Sequence, residues 1–143
     1  MAWETSSAPP RVLPLPNEGS REFWTGGANG DLLVTQCESC GRCAYPPSSI
    51  CPDCGAATAS VRASDEGTVV SYTVCHQQYH PAVATPFVVA LIDLDGFPHC
   101  RIVANVLSCD PATVHAGTRV SVRFEEHGPV FVPVFVPTVD LET

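Results

Sequence analysis

Two short cysteine motifs constrain this chain more than anything else in it. Cys37-Glu38-Ser39-Cys40-Gly41 and Cys51-Pro52-Asp53-Cys54-Gly55 stand with ten residues between Cys40 and Cys51. Two C-x-x-C-G turns at such a spacing can bring four thiolates together tetrahedrally on one ion. Glycine after the second cysteine of each turn admits a positive φ, so the backbone can double back beneath the sulfurs. Cys43 makes the register ambiguous, because Cys40 and Cys43 also form a C-x-x-C pair. Gly41 follows Cys40, whereas Ala44 follows Cys43, and this selects Cys37, Cys40, Cys51 and Cys54 as the metal ligands.

The two knuckles also resemble those of rubredoxin, whose four-cysteine site holds iron. An electron carrier has little use for the long chain that follows, and four-thiolate sites of this type most often hold zinc. With four protein ligands and no open position, the expected zinc is structural. Eight cysteines form an even count that could indicate disulfides. Met1 to Asn17 has no basic start followed by an apolar core, so no export signal supports that reading, and a cytoplasmic protein is expected. The formal charge is −8, with seven arginines, no lysine and fifteen acids. That sign opposes phosphate-neutralising contact with nucleic acid. No run approaches the ~18 apolar residues of a membrane helix.

Pro9, Pro10, Pro14 and Pro16 mark residues 1–16 as an extended arm. Asn17 or Ser20 can cap a short helix carrying Phe23 and Trp24 and ending at Gly26-Gly27. Leu32-Leu33-Val34 reads as a strand leading into the first knuckle. From residue 57 the pattern becomes strand after strand. Thr68–Gln77 places Val70, Tyr72, Val74 and His76 on one face, and Val69, Ser71, Thr73 and Cys75 on the other. Phe87–Ile92 is a continuous apolar run suited to a central strand. Asp95-Gly96 is a hairpin signal, and Pro98–Val106 is the return strand. Asp110-Pro111 reads as a helix cap with a first-turn proline. Arg119–Glu126 alternates, with Val120, Val122 and Phe124 expected inside, and Val130–Val136 closes the set. The expected fold is mainly β: an N-terminal arm and short helix (1–30), a four-cysteine zinc ribbon (31–63), and a five-stranded OB-fold barrel (64–143).

In order along the chain come Phe23-Trp24, Leu32-Leu33-Val34 and the two knuckles around Tyr45-Pro46-Pro47. Gly67-x-Val69-x-Ser71-Tyr72-Thr73-Val74, Pro86-Phe87-Val88-Val89-Ala90-Leu91 and Gly117-x-x-Val120-x-Val122 follow. This ordered set resembles the zinc-ribbon plus OB-fold family catalogued as domain of unknown function number thirty-five, the acyl-CoA-associated OB-fold proteins. The resemblance spans Asn17 to Val136. It implies a thiolase-superfamily partner: a thiolase, an acyltransferase, or an aldolase that cleaves CoA-linked steroid side chains. The expected role is an accessory subunit that supports assembly and the substrate tunnel, with a CoA thioester at the shared interface left open. Low charge and abundant apolar residues agree independently with concealment against another chain. The alternatives are a nucleic-acid-binding zinc-ribbon/OB module and a stand-alone electron carrier.

No residue is assigned a catalytic role. His76, Tyr79 and His80 cluster at the end of the first barrel strand, where OB-folds commonly face ligands. With Phe23 and Trp24 they are the candidate partner- or substrate-facing residues, set against the plainer reading of a polar interface loop. His99 and Arg101 read as barrel-surface side chains. Cys75, Cys100 and Cys109 read as buried thiols rather than nucleophiles.

Overall fold

The computed structural model describes residues 13–78, 81, 83–97 and 100–138. Tyr79, His80 and His99 lie outside the described residues, as does most of the proline-rich arm. The helix α1 (Arg21–Thr25) is one turn and a half, and a 3₁₀ turn (Gly26–Asn29) extends it. Asn17 and Ser20 lock its start reciprocally: the Asn17 N–H donates to Ser20 Oγ at 3.1 Å, and the Ser20 N–H donates to Asn17 Oδ1 at 2.9 Å. Gly30 ends the 3₁₀ turn with φ +77°, a conformation that glycine adopts without strain. The α-helix thus ends at Gly26 as expected, and the 3₁₀ turn carries the chain on to Gly30.

The ribbon is a three-stranded antiparallel sheet of β1 (Leu33–Cys37), β2 (Cys43–Ala44) and β3 (Thr58–Arg62), with β1 in the centre. The barrel follows: β4 (Glu66–Cys75), β5 (Phe87–Leu94), β6 (Arg101–Val106), β7 (Arg119–His127) and β8 (Val130–Pro137). It closes in the order β4-β5-β6-β8-β7, with β8 parallel to β6 and β7 paired back to β4. A meander, a crossover through a 3₁₀ turn (Pro111–Thr113), and a closing hairpin give this order, as an OB-fold requires. Asp110 caps that turn by accepting from the Ala112 N–H at 3.0 Å.

Alternation builds the core. Along β5, Val88, Ala90, Ile92 and Leu94 are buried, and their neighbours are half-buried. They meet Ile102 and Val106 of β6, Val120 and Val122 of β7, and Phe135 of β8. Two faces differ from simple alternation. In β4 a bulge at Val70 shifts the register between Val69, opposite Ile92, and Ser71, opposite Leu91. Val69 therefore shares a face with Tyr72 and Val74, which pair with Ala90 and Val88, although Tyr72 itself is exposed, and Val70 is the extra residue. In β7, Phe124 is only half-buried while Glu125 is fully buried, its Oε1 3.2 Å from His127 Nε2.

Cys100 is not a buried free thiol. It forms a disulfide with Cys43, with the two Cα atoms 5.3 Å apart. The expectation of a buried free thiol fails because two cysteines 57 residues apart are brought together only by the docking of ribbon on barrel.

Candidate metal centre and neighbouring surfaces

Each knuckle is built by the same local logic. The Gly41 N–H donates to the Cys37 carbonyl at 3.1 Å, and the Gly55 N–H donates to the Cys51 carbonyl at 3.0 Å. Both glycines carry positive φ, +79° and +80°. Each turn is fastened to the chain beyond it, Cys37 N–H to the Arg42 carbonyl and Cys51 N–H to the Ala56 carbonyl. The first ligand of each knuckle, Cys37 or Cys51, is buried, and the second, Cys40 or Cys54, is exposed.

The four sulfurs lie within 4.8 Å of one another. Cys37 Sγ is 3.4 Å from Cys54 Sγ, and Cys40 Sγ is 3.8 Å from Cys51 Sγ. A tetrahedron with Zn–S bonds of about 2.3 Å has edges of about 3.8 Å, so the donor set fits that ion. Backbone N–H groups complete the fit: Ser39 and Cys40 donate to Cys37 Sγ at 3.3 Å, and Asp53 donates to Cys51 Sγ at 3.4 Å. Donors aimed at sulfur stabilise thiolate over thiol. The Cys40 N–H, helped by that of Ser39, brings the Cys37 thiol down to about 6. The sequence-selected ligands are thus the residues brought together, and Cys43 points elsewhere, into its disulfide with Cys100.

The helix bridges the two halves. Phe23 is buried, with its ring 4.8 Å and edge-on to Trp24 and 5.8 Å from Tyr45. It packs within its own chain. Burial pushes the Tyr45 phenol up, an effect partly offset by the Val103 backbone at its hydroxyl. Glu22 accepts a hydrogen bond from the Ser60 hydroxyl of β3, and Gly27 abuts Phe124 and Phe131 of the barrel. Trp24 is half-buried and borders a cavity of about 190 Å³ walled by Val103, Ala104, Asn105 and Pro133 among others. Val103, half exposed, extends this apolar rim outward. His76 is exposed just beyond the end of β4. Residues 103–105 were not singled out by sequence reasoning, and Pro133 only as a sign of an edge strand or barrel rim.

Comparison with known proteins agrees with this architecture. A family model described as the rubredoxin-like zinc ribbon domain of ChsH2 matches residues 24–59, and one described as the C-terminal OB-fold domain of ChsH2 matches residues 60–125. A solved structure described as the Ltp2-ChsH2(DUF35) aldolase contains a chain 33% identical to this one. It superposes with a TM-score of 0.74 over 89% of this chain and 100% of that one. A DUF35-family protein of unknown function from Sulfolobus solfataricus, 20% identical, superposes with a TM-score of 0.61 over 85% of this chain and 87% of that one, a likeness of fold alone. A probable enoyl-CoA hydratase alpha subunit from Thermomonospora curvata is 35% identical over 97% of this chain. The present chain spans 44% of that relative's length. Among the described residues no helix is long and apolar enough to cross a membrane.

Proposed function

We propose, from the premise that this chain belongs to the ChsH2 family of rubredoxin-like zinc ribbons joined to an OB-fold, that it serves as an accessory subunit of an acyl-CoA enzyme. The observation that carries the reading is the match over the whole length of a chain from an aldolase complex, at a TM-score of 0.74. The name of the second relative, an enoyl-CoA hydratase alpha subunit, points to the same class of thioester substrate. The partner would be a thiolase-superfamily enzyme acting on a CoA thioester, a steroid side chain included, by thiolysis, acyl transfer or retro-aldol cleavage.

Chemistry supports an accessory role. Making or breaking a carbon–carbon bond beside a thioester needs a base and donors for the developing enolate. Zinc held by Cys37, Cys40, Cys51 and Cys54 would have no open position to polarise a carbonyl or activate water, so its contribution would be to fold the ribbon. Trp24, at the rim of the cavity, is the aromatic placed to anchor a partner. His76, with Tyr79 and His80, would order a loop or position substrate from this side of the interface.

Co-expression with a thiolase-superfamily enzyme tests the proposal. A complex of fixed stoichiometry on gel filtration, with zinc retained, is the expected result. Separate elution of the two folded proteins at micromolar concentration would remove the basis for the reading.

A further inference from the structure

We propose that Cys43 and Cys100 form a reversible thiol–disulfide clamp that holds the short ribbon strand β2 against β6 of the barrel. The inference stands independently of the partner proposed above. Cys43 opens β2, three positions after the ligand Cys40, and Cys100 immediately precedes β6. Their Cα separation of 5.3 Å falls within the range a disulfide bridges without backbone movement. The bond therefore crosses from one half of the molecule to the other.

Ribbon and barrel also share one buried core, in which Leu32, Val34 and Ala63 pack in the same cluster as Val69, Val88 and Ile102, so the clamp governs β2 rather than the seating of the whole ribbon. The covalent link between β3 and β4 is residues 63–65, and the helix is seated on both halves through Glu22–Ser60 and Gly27–Phe124. Two residues past Cys43, the Tyr45 hydroxyl meets the backbone of Val103, three residues past Cys100. The clamp thus lies at the start of a seam in which the end of β2 runs beside β6. Cys100 also anchors the hairpin before β6: its N–H donates to the Phe97 carbonyl at 2.9 Å, and its carbonyl accepts from the Leu94 N–H at 3.1 Å. Opening the disulfide leaves that backbone in place, and two thiols pack there as small apolar side chains. Both redox states are therefore compatible with the fold, and what changes is the freedom of β2.

The two sulfurs differ in access. Cys100 is 0% exposed, whereas Cys43 is half-buried. Reduction by an external dithiol then has one direction of attack. Its thiolate attacks Cys43 Sγ, the Cys43–Cys100 bond breaks, and Cys100 leaves as thiolate and takes up a proton. The second thiol of the reductant, as thiolate, attacks the mixed disulfide and releases Cys43, which is protonated in turn. The dithiol ends as a disulfide and the clamp as two thiols, a balanced two-electron exchange. Closure runs in reverse against a small disulfide such as oxidised glutathione, releasing two molecules of the thiol.

The test uses the zinc-loaded full chain, equilibrated across ratios of reduced to oxidised glutathione, quenched by alkylation and read by mass. The expected result is one two-electron transition within the glutathione range. A Cys43–Cys100 cross-linked peptide should appear at its oxidised end, with zinc content constant throughout. Amide exchange at Thr35, Cys43 and Ala44 should be about tenfold or more faster in the reduced form. Cys43→Ala, at the half-buried position, should abolish the transition and exchange rapidly at every ratio. Cys100→Ala should behave alike; if it does not fold, Cys43→Ala alone decides. The proposal is overturned if the cross-link joins any other pair, if oxidation expels zinc, or if the bond is never formed or never opened across the range. Equal exchange rates in the two states would also overturn it.

Discussion

Replacing Gly27 by alanine tests the seat of the helix on the barrel. A Cβ at this position would lie 2.6 Å from Phe124 Cδ1 and 2.6 Å from Phe131 Cβ. Favourable carbon–carbon contact begins near 3.5 Å, so the turn must retreat by about 1 Å. The two phenylalanines cannot readily yield, because Phe124 is paired with Pro133 and Phe131 with Glu126 in the β7–β8 ladder. The helix must therefore lift, which also disturbs Phe23 and Trp24. Overpacking of this kind costs about 1–3 kcal/mol. At about 2–4 °C per kcal/mol for a chain of this size, the melting temperature should fall by about 2–12 °C. Helix propensity alone gives the opposite sign, since alanine is favoured over glycine by up to ~1 kcal/mol. Thermal unfolding of the zinc-loaded variant by circular dichroism separates the two, with the exposed Asn29→Ala as a neighbour expected to change little. A Gly27→Ala protein that melts at or above the parent would refute the seating.

Cys51→Ser should lose its metal and unfold the ribbon, because structural zinc contributes on the order of 10 kcal/mol to such small domains; Cys43→Ser should keep a full equivalent by metal analysis. Arg119→Ala removes a bidentate pair with Asp95, at 2.8 and 2.6 Å, and a contact to Glu66. The hydrogen bonds from Arg119 hold the Asp95 carboxyl below its usual range. A carboxylate depressed in the folded state stabilises above its unfolded value, near 3.9, and that contribution fades as pH falls through the lower folded value. The stability gap between parent and Arg119→Ala should thus be full at neutral pH and close in strong acid. At this exposed site it should stay below about 1 kcal/mol and shrink with salt. Trp24→Ala should weaken the proposed complex by ~2 kcal/mol, about thirtyfold in Kd by calorimetry; an unchanged Kd would move the anchor to a surface away from this cavity.

What the sequence disclosed, and what it withheld, follows from range. The knuckles were legible because each is a local device: sulfur, turn and glycine all lie within five residues. The barrel strands were legible because a period of two survives wherever one face is buried, as along β5. The bulge at Val70 was not, since an extra residue leaves no mark except against its partner strand. Glu125 broke the alternation of β7 for the same reason: what covers a strand's second face is a tertiary fact. The pairing of Cys43 with Cys100 is the longest-range case, and each cysteine had a plausible local reading of its own. Phe23 and Trp24 both border the cavity but differ in burial, because the helix turns Phe23 into the core and leaves Trp24 half-buried.

The most direct test of the proposed accessory role is reconstitution of turnover from separately purified, zinc-loaded chain and the proposed thiolase-superfamily partner. This chain alone should convert no CoA thioester, and the partner alone little. Activity should rise to saturation as the two are titrated to a fixed ratio. A His76→Ala, Tyr79→Ala, His80→Ala triple variant should lower that activity modestly, without abolishing it. Should the triple variant assemble normally yet lose turnover as completely as a catalytic mutant of the partner, this chain carries part of the active site and the accessory role is wrong.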